Sequence, residues 1–147
     1  MTTEPVIILA EDDVGHAGLI INSLKRIGIT NEILHFEDGE ETLNFLFRKG
    51  EGPHRENGAS YILLLDIRMP VVDGFEVMRQ VKQDEELREI PIIMVTTTED
   101  PGEIEKCWQL GCSNYFVKPV NFEKFSQTME QLGQFINDVI LPEISDQ

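Results

Sequence analysis

The chain of 147 residues has few cysteines, few basic residues and no long apolar run, and each shortage excludes a class of protein. The two cysteines, Cys107 and Cys112, are too few for a disulfide framework, and their spacing fits neither a CxxC redox pair nor a zinc site. No apolar run approaches the roughly 20 residues that span a bilayer, and the N-terminal residues lack the pattern of a signal peptide. We therefore expect a cytoplasmic protein that does not enter a membrane.

Acidic residues outnumber basic ones by 27 to 12, which gives the chain a formal net charge of −15 at pH 7. A charge of this sign repels the phosphates of nucleic acids and anionic lipid surfaces alike. We therefore expect no direct contact with nucleic acid. Most carboxylates in an acidic chain only solvate its surface, so the placement of particular ones has to indicate the function.

Short apolar segments rich in β-branched residues alternate along the chain with segments whose apolar residues recur at helical spacing. The segments that resemble strands are 6–10, 32–36, 61–65, 91–95 and 113–117. The apolar stripes of helical period run through 17–27, 43–47, 75–81, 104–108 and 122–139. We expect the last helix to end before Pro142, because proline rarely continues a helix. Each predicted strand is thus followed by a predicted helix.

This alternation predicts the α/β class, with a (βα)5 fold in which a parallel sheet is doubly wound by helices on both faces. Right-handed crossovers leave few strand orders, and we expect the flavodoxin-like order 2-1-3-4-5. One domain should cover residues 1–147, with a core at about 6–140 and a short tail at 141–147. Residues 48–60 are rich in glycine, proline and charge, so they should form a long surface loop.

Polar side chains follow four of the five predicted strands at the point where each strand ends. They are Glu11, Asp12 and Asp13 after the first strand, Asp66 after the third, Thr96 at the end of the fourth, and Lys118 after the fifth. In open α/β sheets, ligands bind beyond the carboxyl ends of the strands, near the point where the strand order reverses. We therefore expect these side chains to meet in one polar cleft.

Carboxylates that are brought together in a partly buried cleft repel one another, and a bound cation relieves that repulsion. Mg²⁺ suits such a site because it takes oxygen ligands from one or two carboxylates, from water and from phosphate. Asp66 beside this ion would attack phosphorus and form an acyl phosphate, while Lys118 stabilises charge on the phosphoryl oxygens. The hydroxyl of Thr96 would then donate a hydrogen bond to the attached group and report its arrival.

Four motifs at these strand ends resemble those of the response-regulator receiver family of two-component signalling systems. They are AEDD at 10–13, LLLDIRMPVVDG at 63–74, MVTTT at 94–98 and NYFVKP at 114–119. The resemblance extends over about residues 6–139, and it is specific because four motifs occur in the right order. It implies a phosphoprotein that accepts a phosphoryl group from a sensor histidine kinase and turns over no external substrate.

Carried over residue by residue, the resemblance makes Asp66 the phosphoacceptor, with Thr96 and Lys118 completing the catalytic set. The implied Mg²⁺ ligands are the carboxylates of Glu11, Asp12 and Asp66 and the backbone carbonyl of Arg68. Of these, Asp12 would contact the ion directly and Glu11 would act through water.

The resemblance also implies a switch, in which Tyr115 turns inward when Thr96 moves toward the phosphoryl group. The Lys118–Pro119 bond resembles the family's cis peptide, and Asp13 is expected to be the N-cap of the first helix. The long loop at 48–60 is similar to that of small regulators paired with bacterial phytochromes. In such regulators the face formed by the fourth helix, fifth strand and fifth helix commonly joins two subunits, so we expect a homodimer through that face.

A phosphorylation-independent interaction module on the same fold is the alternative that stays open. A flavodoxin is disfavoured because the acidic residues at 11–13 would repel a flavin phosphate. A phosphohydrolase with an aspartate nucleophile would need a second carboxylate two residues later, where Arg68 stands. Surface or packing roles are expected for His16, His35, His54 and Trp108. Trp108 in particular should lie in the core.

Overall fold

Residues 4–145, which the computed structural model describes, form a five-stranded parallel sheet covered by helices on both faces. The strands are β1 (Val6–Ala10), β2 (Ile33–Phe36), β3 (Tyr61–Leu65), β4 (Ile92–Thr96) and β5 (Asn114–Val117). The helices are α1 (Val14–Arg26), α2 (Gly39–Phe47), α3 (Gly74–Gln83), α4 (Pro101–Leu110), α5 (Phe122–Phe135) and α6 (Leu141–Ser145). The strand order β2-β1-β3-β4-β5 confirms the predicted flavodoxin-like topology.

The sheet divides the apolar core into two layers. One layer lies under α2, α3 and α4 and includes Leu46, Met78 and Cys107. The other lies under α1 and α5 and includes Leu24 and Met129. All residues of β3 and β4 are buried, because the central strands of a parallel sheet have helices on both faces. Within residues 4–145 no helix is both long and apolar enough to cross a bilayer.

Each of the helices α1 to α5 begins at a side-chain cap close to the end of the preceding strand. The capping residues are Asp13, Asp38, Asp73, Asp100 and Asn121. Each side-chain oxygen accepts a hydrogen bond from a backbone N–H in the first helical turn, which the helix itself leaves unpaired. The predicted capping role of Asp13 is confirmed. The helices therefore start at the carboxyl edge, the edge of the sheet where the five strands end.

The C-terminal helical region differs from the prediction. Helical structure continues past Pro142, so the expectation that the last helix ends before this proline is wrong. A proline ring clashes with the carbonyl four residues earlier in a regular α-helix, and a wider π-helical turn at Ile136–Ile140 relieves such crowding. Leu141 and Ile144 pack against the layer under α1 and α5, which favours a helix here. The domain bounds of 1–147 stay a prediction.

Trp108 does not lie in the core as predicted, because it is 48% exposed on α4. Cys107, the preceding residue, is fully buried. Successive residues of an α-helix point about 100° apart. When Cys107 faces the core, Trp108 therefore points away from it. The buried apolar stripe of α5 is also shorter than predicted, since Phe122 at its start and Val139 beyond its end are exposed.

Candidate functional site

Lys118 lies just beyond the end of β5, with its ammonium group buried between two carboxylates. Its Nζ donates to Glu11 Oε1 and, over 3.1 Å, to Asp66 Oδ2. Lys118, Glu11 and Asp66 are only 3%, 1% and 6% exposed. The backbone N–H of Lys118 donates to the Thr96 carbonyl over 2.7 Å, which extends the pairing of β4 with β5. The structure thus brings together the predicted residues that follow β1, β3 and β5.

The pKa of Glu11 is raised to about 7, and burial is the largest cause. The nearby charge of Asp66 raises this pKa further, whereas the hydrogen bond from Lys118 lowers it. Burial outweighs the ion pair because the cost of desolvating a carboxylate can exceed its Coulombic gain. Glu11 therefore holds a proton close to neutral pH, and a second cation would favour the ionised form.

A third carboxylate, that of Asp12, joins the two that contact the lysine. Oxygen atoms of Glu11, Asp12 and Asp66 lie within 4.8 Å of one another. Asp12 is exposed and the other two are buried, so the cluster is open to solvent on one side. Such a donor set fits a hard divalent ion that takes oxygen ligands and keeps several waters, as Mg²⁺ does. The residues at this edge therefore fit the predicted metal.

The backbone of Asp66 is held by the close approach of Gly74. Asp66 Oδ1 accepts a hydrogen bond from the Ile67 N–H over 2.7 Å, and the Gly74 N–H donates to the Ile67 carbonyl over 2.8 Å. A Cβ atom at position 74 would lie 2.2 Å from the Asp66 carbonyl oxygen, so a side chain does not fit here. The loop between β3 and α3 therefore fixes the position of the Asp66 carboxylate.

The same loop contains a strained residue, Val71. Its φ of 68° lies in the left-handed region, which β-branched residues rarely adopt. The Val72 N–H donates to the Pro70 carbonyl over 2.8 Å, so the chain makes a three-residue turn around Val71. The Val72 carbonyl oxygen lies 2.0 Å from where a Cβ on Gly39 would be, so α2 packs directly against this turn. Strain of about 1–3 kcal/mol is therefore held beside Asp66.

The hydroxyl of Thr96 is fully buried and finds no hydrogen-bond partner within residues 4–145. Buried polar atoms are nearly always paired, and an unpaired one costs about 1–3 kcal/mol. Thr96 ends β4, which pairs with the strand that precedes Asp66. The Thr96 hydroxyl is therefore a donor left for an acceptor that the described residues do not supply.

The side chain of Tyr115 reaches the segment that connects β4 to α4, and that of Arg68 reaches the first turn of α4. The Tyr115 hydroxyl donates to the Thr98 carbonyl over 2.9 Å, and burial raises the pKa of this phenol. Thr98 Oγ1 donates to Glu103 Oε2 over 2.6 Å, and the Arg68 guanidinium pairs with the same carboxylate. The Arg68 side chain is thus engaged by α4, and metal binding by its backbone carbonyl stays a prediction.

The bond between Lys118 and Pro119 is trans, so the expected cis peptide is a wrong prediction. No peptide bond within residues 4–145 is cis. The two isomers of a bond that precedes proline differ by only about 0.5–1 kcal/mol, which a sequence motif does not decide. Lys118 reaches the two carboxylates with the trans bond.

Two histidines that sequence reasoning left out contact the site residues. His16 Nδ1 lies 3.1 Å from Lys118 Nζ, and His35 Nε2 lies 2.7 Å from the Glu11 carbonyl oxygen. The position of His16 in the first turn of α1, next to the acidic motif, is the signal that could have indicated it. His54 bonds to backbone carbonyls of its own loop, which agrees with the surface role expected of it.

Similarity to known proteins extends over most of the chain. The family model described as the response regulator receiver domain matches residues 7–130. The probable methanogenesis regulatory protein FilR2 of Methanothrix harundinacea is 35% identical over 130 residues, which cover 88% of this chain and 82% of that protein. The residues that the family model matches include all the strand-end motifs.

Solved structures agree with the sequence matches. The crystal structure of a response regulator receiver domain from Rhodospirillum rubrum has a TM-score of 0.83 and 39% identity, and the match covers 90% of this chain and 93% of that one. The phosphorylated cyanobacterial phytochrome response regulator RcpA has a TM-score of 0.83 and 26% identity, with 92% and 96% covered. This chain therefore belongs to the response regulator receiver domain family.

Proposed function

We propose that this receiver domain accepts a phosphoryl group from the phosphohistidine of a sensor kinase on Asp66, in a reaction that requires Mg²⁺. The observation that carries the proposal is the buried contact of Lys118 with Asp66 and Glu11. Receiver domains interact with histidine kinases, and this chain has the polar residues that such a transfer needs. The protein would act in the cytoplasm as a phosphoacceptor and not as an enzyme for an external substrate.

In the proposed transfer, an Asp66 oxygen attacks phosphorus as the bond to the donor imidazole breaks, so one P–O bond replaces one P–N bond. Asp66 Oδ1 accepts from the Ile67 N–H, and Oδ2 accepts from Lys118. These two contacts orient the carboxylate. The Lys118 ammonium group lies close enough to shift from Asp66 to a phosphoryl oxygen and to stabilise its charge.

Glu11, Asp12, Asp66 and the Arg68 carbonyl would hold Mg²⁺. When bound, the ion neutralises charge on the phosphoryl oxygens. Glu11 would lose its proton on metal binding, because the ligand form of a carboxyl group is the carboxylate. The exposure of Asp12 leaves one side of the cluster open for the incoming phosphoryl group.

Thr96 and Tyr115 would convert phosphorylation into a change of the face formed by α4, β5 and α5. Thr96 would donate its hydroxyl, which no described residue pairs, to the phosphoryl group. Tyr115 is tied through its hydroxyl to the Thr98 carbonyl, so a movement near Thr96 would reach β5. Phosphorylation would then bias an equilibrium between two arrangements of this face.

The same face is also where we propose that two copies of the chain meet. Trp108 on α4 is half exposed, and exposed aromatic residues are enriched in protein interfaces. The similarity to a solved phytochrome response regulator supports a phytochrome-type histidine kinase as the upstream partner. The net charge of −15 argues against direct binding to nucleic acid.

The proposal is tested by the intact mass of the protein after incubation with acetyl phosphate, with Mg²⁺ or with EDTA. We expect the mass of one phosphoryl group to be added only with Mg²⁺, and not at all to Asp66→Asn. Asp138→Asn, which changes an exposed acid beyond α5, is the matched control and should label like the wild type. Labelling of Asp66→Asn would contradict the assignment of the phosphoacceptor.

Size-exclusion chromatography of the same samples tests the dimer. A larger apparent size after phosphorylation is expected for the wild type, and Trp108→Ala should reduce this change. If the folded wild type takes up no phosphoryl group in either condition, the better hypothesis is that the chain is a phosphorylation-independent interaction module.

A further inference from the structure

The ammonium group of Lys118 has a third contact besides the two carboxylates. His16 Nδ1 lies 3.1 Å from Lys118 Nζ. A lysine ammonium group has three N–H donors and no acceptor, so its contacts with Glu11, Asp66 and His16 use all three. Because the ammonium group can only donate, Nδ1 of His16 has to be the acceptor.

The imidazole of His16 is held from α1 and from α5. The His16 backbone N–H donates to Asp13 Oδ1 over 3.0 Å, and the ring packs against Phe125 with 5.7 Å between ring centroids. The charged groups that face the imidazole are Lys118 and Asp13, whose Oδ2 lies 3.9 Å from Nδ1, whereas α5 contributes the apolar ring. The side chain is 35% exposed, so it is anchored but accessible to solvent.

We propose that His16 is a positioning residue for Lys118, which it holds in the site by accepting a hydrogen bond from the ammonium group. The inference rests on the proposed function, because the benefit of a well-placed Lys118 is faster transfer to Asp66. In that transfer, the hydrogen bond from Lys118 to Asp66 shifts to a phosphoryl oxygen, while the bond to His16 persists. His16 therefore acts as a fixed support and does not touch the reacting atoms.

The contact depends on the charge of the imidazole. A protonated imidazole carries a hydrogen on Nδ1 and cannot accept a hydrogen bond. It also places a second positive charge beside the ammonium group of Lys118. Asparagine at position 16 would offer an acceptor oxygen near the place of Nδ1, whereas alanine would offer none.

The test compares rates of phosphorylation by acetyl phosphate at saturating Mg²⁺ for four proteins: wild type, His16→Ala, His16→Asn and His54→Asn. His54 bonds to backbone carbonyls in the loop between α2 and β3, so it is the matched control. At pH 7.5 we expect a roughly fivefold lower rate for His16→Ala, and a rate close to wild type for His16→Asn. His54→Asn should react at the wild-type rate.

Equal rates for wild type and His16→Ala would overturn the inference, as would equal losses in His16→Ala and His16→Asn. Circular dichroism and thermal unfolding show whether each variant is folded. A second measurement needs no phosphorylation: Lys118→Met should shift the NMR signals of the His16 ring and leave those of His54 in place. Absence of labelling in the wild type contradicts the proposed function, whereas an unshifted His16 signal contradicts this inference.

Discussion

The two edges of the sheet differ in how their polar groups are paired. At the amino edge, where the strands begin, Arg55 donates to the Leu46 carbonyl and to Glu86, each over 2.6 Å. At the carboxyl edge, the Thr96 hydroxyl lacks a partner within residues 4–145, and Glu11 has a raised pKa. Polar groups at the amino edge are thus paired with one another, whereas the proposed function would pair those at the carboxyl edge with an added cation and a phosphoryl group.

Removal of the buried ammonium group of Lys118 at the carboxyl edge should have the largest effect on the rate of phosphorylation. Lys118→Met leaves Glu11 and Asp66 together without their shared ammonium group. We expect the rate of phosphorylation by acetyl phosphate to fall about 100-fold, because a charge that stabilises the transition state is lost. The rate is measured from intact mass against time, with Lys124→Met, an exposed lysine of α5, as the control. A folded Lys118→Met protein that reacts at the wild-type rate would contradict the role of Lys118.

A side chain at position 74 should disturb the carboxyl edge next most strongly. The new Cβ of Gly74→Ala would lie 2.2 Å from the Asp66 carbonyl oxygen, and backbone atoms cannot move aside cheaply. We expect the free energy of unfolding in urea to fall by about 1–3 kcal/mol. Gly52→Ala is the matched control in the loop between α2 and β3, because no described atom lies within 4 Å of its Cβ position. Equal stabilities of the two variants would mean that the approach at Gly74 is not tight.

The raised pKa of Glu11 predicts that the metal-free protein loses stability as the pH rises. The folded protein keeps a proton on Glu11 up to about pH 7, whereas the unfolded chain releases it near the ordinary value of 4.5. Between these values the folded state binds more protons, so the free energy of unfolding should decrease with rising pH. Urea titrations in EDTA should show that Glu11→Gln removes this part of the decrease. Parallel profiles for the two proteins would argue against the raised pKa.

Loss of the ion pair at the amino edge should have the smallest effect. Glu86 is 71% exposed and Arg55 is 14% exposed, so water screens much of their attraction. We expect Glu86→Gln to lower the free energy of unfolding by about 0.5 kcal/mol or less, as measured in urea. Phosphorylation should proceed at the wild-type rate. A large effect on phosphorylation would mean that the two edges are coupled and not independent.

The helices and strands could be predicted from the sequence, as could the clustering of the residues at the strand ends, because both depend on local sequence patterns. A helical or strand period appears within a few residues, and parallel strands bring their carboxyl ends to one edge whatever their exact order. Glu11, Asp12, Asp66 and Lys118 therefore follow from the motifs and the topology together. The strand bounds differ from the prediction by one residue at most, which is the usual uncertainty of element ends.

The remaining features depend on contacts that no local pattern records. The contact of His16 with Lys118 joins residues more than a hundred positions apart, and it depends on how α1 and α5 pack together. The exposure of Trp108 depends on which side of a short helix faces the sheet. Continuation of the helix through Pro142 depends on a π-helical turn and on the packing of Leu141 and Ile144.

Two connections, one at each edge of the sheet, differ in length as well as in chemistry. Only residues 11–13 join β1 to α1 at the carboxyl edge, whereas residues 48–60 join α2 to β3 at the amino edge. Exposed loops accept insertions far better than short junctions that hold functional groups. The loop at 48–60 should therefore accept changes in chain length that the short junction at 11–13 would not. A reporter domain spliced in at residues 50–52 should leave the strand ends undisturbed.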